Sequence, residues 1–192
     1  MRVRDVDAFS YLSVLISLIL GLAITQVLKG VRGLMHGRAR VRSYWPTVLW
    51  AALIIVIAVQ SWWSMFGLRH HQDWTFVEFS AVLAQTIVLY LLAALVLPDI
   101  FGDAVVDLRE HYYDNRRWFF SLLVMLIATS LLKALAIDHS LPEPADLRFH
   151  IVFALTALSG IAVANARYHE FLAALGAVSI VAYIAFLFER LS

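Results

Sequence analysis

Gln60, Glu78, Gln85 and Lys133 interrupt otherwise apolar stretches of this chain, each with atoms that hydrocarbon does not solvate. At membrane depth an amide or a charge must find a partner. Such groups turn inward and mark solute paths, proton relays or interhelical ties. Gln60 and Gln85 lie at comparable depth on neighbouring antiparallel segments, where they can bond each other or line a solute site. Lys133 stands five residues before Asp138, and Glu78 is two past the start of its own segment. This predicts an intramembrane Glu78–Lys133 pair, or a Lys133 that snorkels outward to Asp138.

Ser13, Ser17, Gly21 and Thr25 recur four apart near the N-terminus, with Ser10 on the same helical face. The ladder is either a hydroxyl-lined pore or oligomer surface, or a packing seam inside one protomer where small residues let backbones approach. His70, His71, His139 and His150 fall on one side of the membrane with several carboxylates. Imidazole with carboxylate can hold Zn²⁺ or Cu²⁺, or sense pH near neutrality. Their spacing matches no metal motif, which leaves them weak metal candidates beside the plain reading of interfacial histidines.

Several chemistries lack their residues. Transbilayer haem needs histidine pairs at membrane depth, and every histidine here lies at or beyond a span end. Lys133 sits too near a surface for a retinal site, and the paired Asp, Ser/His or His-Glu sets of intramembrane proteases are missing. The chain has no Cys, which rules out disulfides and thiolate chemistry. No catalytic signature and no cofactor are expected.

These residues are carried by unusually apolar segments: hydrophobic residues make up 62% of the 192 and charged ones 15%. Soluble domains hold roughly half and a quarter, and could not bury this much apolar surface. Six stretches, 9–28, 45–68, 76–97, 118–137, 149–166 and 171–188, are each long enough to cross a hydrocarbon layer of about 30 Å. Lipid offers no partner to a bare backbone, so they must be helices. The expected architecture is all-α: a polytopic six-transmembrane-helix bundle in one domain, with no internal repeat. Tyr11, Tyr44, Trp45, Trp74 and Trp118 stand at span ends as headgroup anchors. The residues before the first span read as flanking a retained helix, not a signal peptide.

Nine Lys and Arg fall in the first, third and fifth connections, and five on the other side. The positive-inside rule then puts both termini outside a cell (inner) membrane. Between the third and fourth spans, Asp99, Asp103, Asp107, Glu110 and Asp114 share one side of a predicted interfacial helix over 99–114, with Phe101, Val105, Leu108 and Tyr112 on the other. That acidic side is either solvated or a dock for a cytoplasmic protein partner. A net charge of +1 gives no sign of nucleic acid. Phe9-Ser10 resembles the Phe-Ser-x-x-x-Asp opening of small six-helix bacterial potassium channels, but Val14 stands at the Asp position and the family is not adopted.

Functionally, the pattern points to a small homo-oligomeric channel or transporter for an ion or small polar solute, with Gln60 or Gln85 adding polarity to its path. The alternatives are a membrane sensor or assembly subunit, and an enzyme acting on lipid.

Overall fold

The computed structural model describes residues 8–71, 73–99 and 105–191. It is a bundle of six helices: α1 (Ala8–His36), α2 (Trp45–Met65), α3 (Phe76–Leu95), α4 (Leu108–Asp138), α5 (Pro144–Ala162) and α6 (Ala166–Leu191). All six are long and apolar enough to cross a membrane, which makes this a multi-pass integral membrane protein. Short connections make consecutive helices antiparallel. The helices touch in the cyclic order α1, α3, α4, α5, α6, α2 and back to α1, and α2 also meets α3 and α4. The chain thus closes a ring with an interior.

Local chemistry sets the helix ends, and it moves several of them from where hydropathy alone places them. Asp107 caps α4 by accepting from the backbone N–H of Arg109 at 2.9 Å and of Glu110 at 3.2 Å. The helix therefore starts ten residues before the expected span, and its 31 residues run about 46 Å. The separate interfacial helix over 99–114 is not seen. Residues 108–114 are the first turns of α4, Val106–Asp107 is extended, and 100–104 lie outside the described residues. Pro144 begins α5 in the first helical turn, where its missing N–H costs nothing. That helix ends at Ala162, and Asn165 caps α6 through the N–H of Tyr168. His139 closes α4 in the left-handed conformation at φ 50°.

Thr75 and Glu78 form a reciprocal capping box at the start of α3: the Glu78 N–H donates to Thr75 Oγ1 at 3.3 Å, and the Thr75 N–H donates to Glu78 Oε2 at 2.6 Å. Thr75→Ala is expected to cost about 1 kcal/mol. Reversible unfolding in detergent micelles measures it.

One end of the bundle gathers most of the basic residues and is clasped. Strands β1 (Val41–Arg42) and β2 (Val106–Asp107) pair in parallel, Val41 with Val106 and Arg42 with Asp107. Lys29 pairs with Asp99 at 2.9 Å close by. Beneath the clasp lies an aromatic plug. Phe120 is fully buried and meets Trp50 and Phe119 edge-on, with Tyr112 and His169 within ring contact. His169 ties the α5–α6 turn to α4. Its Nε2 lies 2.8 Å from the Val163 carbonyl, which can only accept, so that nitrogen carries the proton and Nδ1 accepts from the Tyr112 hydroxyl at 2.9 Å. Arg116 donates to the same carbonyl. Burial among these rings pushes the Tyr44 phenol up, so it stays protonated at neutral pH.

Candidate functional site

Below the plug the ring of helices encloses a cavity of about 190 Å³. Five helices supply its wall. α2 contributes Gln60, Ser61 and Ser64, residues spaced so that one helical face presents all three. α3 contributes Gln85, α4 Ser130 and Lys133, α5 His150 and Thr156, and α6 Tyr183. Between these polar groups the wall is apolar, formed by Ile57, Phe153 and Ile180, with Trp50 against the plug.

The bonding of these groups shows which atoms are already used. Ser64 and Thr156 hydroxyls donate back to their own helices, to Ser61 O at 2.9 Å and Val152 O at 2.8 Å. His150 Nδ1 lies 2.8 Å from the Asp146 carbonyl and must donate to it; in the neutral ring Nε2 then accepts from the Ser130 hydroxyl at 3.1 Å. Gln85 makes no hydrogen bond among the described residues, and it lines the cavity. The two glutamines share one cavity without bonding each other.

Lys133 occupies the passage out of this space. A second hollow of about 440 Å³ shares Ser64, Ser130, Lys133 and His150 with the cavity and continues to Asp138, Ser140, Glu143 and Asp146 at the end opposite the basic clasp. The interior therefore has a mouth at the acidic end and a floor of aromatic rings towards the basic end. The expected Glu78–Lys133 pair is not formed. Glu78 is held in its capping box, with His71 Nε2 3.4 Å from its carboxylate. Lys133 is in ion-pair contact with no carboxylate among the described residues, and Asp138 is the acidic group whose field reaches it.

The ladder on α1 lies largely on the outer surface of the protomer. Ser10, Ser17, Gly21 and Thr25 are exposed, Ser13 is half-buried, and none lines the cavity. Leu12, Ile16, Leu20, Ala23 and Val27 form the buried face instead. A methyl built on Gly21 meets nothing within 4 Å, so no backbone approaches there inside the protomer. Trp62 Nε1 donates to Ser17 Oγ at 3.2 Å across the outer surface.

The four candidate metal-ligand histidines are not brought together. His71 packs edge-on against Trp74, His139 terminates α4, His150 lines the cavity, and the side chain of His70 lies outside the described residues. No cluster of metal-ligating side chains occurs among the described residues. The acidic row is likewise divided. Asp99 pairs with Lys29, Asp107 caps α4 near Arg42 at 3.8 Å, and Asp103 lies outside the described residues.

Sequence reading missed the cavity contributions of Ser130, His150 and Tyr183, and it missed two glycines. A Cβ on Gly160 would lie 2.6 Å from Phe120 Cδ1, and one on Gly176 would lie 2.8 Å from Trp50 Cη2. Both let a helix carry a large ring against its backbone. A polar residue in every wall helix at similar depth was the available signal for the cavity; nothing local marked the glycines. Comparison with protein-family models, with curated proteins and with solved structures gives no match.

Proposed function

We propose that this is a small transport protein whose solute path runs through a single protomer, by way of the cavity at Gln60, Gln85 and Lys133. The observation that carries the reading is an interior lined by unsatisfied or half-satisfied polar groups at membrane depth, open by a vestibule at one end and stopped by aromatic rings at the other. A donor left unbonded in hydrocarbon is costly, so Gln85 facing empty space suits a solute that completes its bonds. A single mouth fits a carrier that exposes its site to one side at a time better than an open pore. The α1 hydroxyls lie on the outer surface, where they would line a path only between copies; the enclosed cavity needs no second copy. By the charge asymmetry of the loops, the mouth faces outward with the termini.

The test is uptake of small polar solutes into liposomes carrying the purified protein. Flux above empty vesicles is expected for at least one solute. Gln85→Leu should slow that flux roughly tenfold, the worth of one or two hydrogen bonds to the solute. No flux from any solute overturns the proposal, and binding without flux replaces transport with sensing.

A further inference from the structure

Lys133 is the one Lys or Arg on the cavity wall among the described residues. No carboxylate among the described residues is in ion-pair contact with it. Lys133 and Gln85 both line this space, and the side chain of each carries N–H donors. A cation placed there would meet like charge at short range in a poorly screened interior, whereas an anion would neutralise a charge now compensated only by the more distant Asp138. Between its polar residues the wall is apolar. Ile57, Phe153 and Ile180 surround the space, and the Trp50 ring closes it. The volume of about 190 Å³ exceeds the roughly 150 Å³ that suffices for one benzene ring in an engineered protein cavity.

The geometry points to a small organic monocarboxylate as the solute, its carboxylate held by Lys133 and Gln85 and its hydrocarbon body packed between Phe153, Ile180 and Trp50. This inference rests on the reading of the cavity as a solute site. A single charge on the solute matches the single ammonium. A second negative charge would find no second Lys or Arg on the wall among the described residues, and a long acyl tail would not fit.

Isothermal titration of the full chain in nanodiscs with benzoate, benzamide and benzylamine tests it, because the three share one ring and differ in charge. Benzoate is expected to bind tighter than benzamide by roughly tenfold or more, with benzylamine weakest, as charge-assisted hydrogen bonds exceed neutral ones. Lys133→Gln should bring benzoate down to the level of benzamide and leave benzamide little changed. Asp138→Asn, at the exposed end of α4, removes the carboxylate whose field competes for Lys133, and should tighten benzoate alone by about threefold. Should Lys133→Gln fail to fold, the Asp138→Asn response decides. Benzamide or benzylamine binding as tightly as benzoate overturns the monocarboxylate while leaving the transport reading standing, as does a benzoate affinity indifferent to both substitutions. Failure of all three ligands to bind overturns the monocarboxylate, and the liposome uptake assay decides the transport reading separately.

Discussion

Phe120→Ala is expected to destabilise the bundle by about 3 kcal/mol, the low end of the range for large-to-small core changes. The ring is fully buried, in edge-on contact with Trp50 and Phe119, and packed against Tyr112 and His169. Its removal leaves a hole that the rigid His169–Val163–Arg116 tie cannot collapse around. In lipid the unfolded reference is itself apolar, so the transfer part of the cost shrinks and lost dispersion contacts dominate. Reversible unfolding in bicelles measures the difference. The partner position supplies a control, since Gly160→Ala alone forces a methyl to within 2.6 Å of Phe120 Cδ1 and should cost about 1–3 kcal/mol. Combined with Phe120→Ala, the same methyl enters the vacated space. The double variant should therefore be more stable than the sum of the singles by about 1 kcal/mol or more; strict additivity would show that the two residues do not share one packing site.

Gly176→Val should abolish solute movement while leaving most of the stability. A Cβ at this position meets Trp50 Cη2 at 2.8 Å, and the ring has a cavity beside it into which it can tilt. The strain is relieved by filling the solute space, at an overpacking cost of about 1–3 kcal/mol. Liposome uptake falling to the level of empty vesicles, with a folded and monodisperse protein, is the expected result. Uptake equal to the unaltered protein would mean that the path avoids Trp50 and runs elsewhere in the bundle. The same variant should lose benzoate binding, because the displaced indole takes the volume of the hydrocarbon body.

The six crossings were legible because each is a long run of apolar residues, and their order along the chain follows from the connections. The helix ends were less so. Hydropathy placed α4 at 118, but Asp107 nucleates it earlier, and once capped it continues through Arg116 and Arg117 because helix geometry tolerates charge beyond the membrane surface. The acidic spacing of 99–114 imitated an amphipathic helix, yet Asp107 spends its carboxylate on a cap and Asp99 on Lys29, so residues of one apparent face serve different ends. The α1 ladder carried the right periodicity for a face. Periodicity could not say that this face looks outward, since small residues suit lipid, a second copy or a neighbouring backbone equally well.

Composition and hydropathy by themselves determined that this protein lives in a bilayer as six helices, because a backbone without water must bond within its own segment. Only the tertiary structure decided that Gln60, Gln85 and Lys133 share an interior while Glu78 does not. A side chain's depth follows from counting residues, but its neighbours depend on how each helix is turned about its axis and on which helices the ring sets side by side. Those choices are made by packing across the whole bundle, at Phe120 against Gly160 and Trp50 against Gly176, and are written in no single segment.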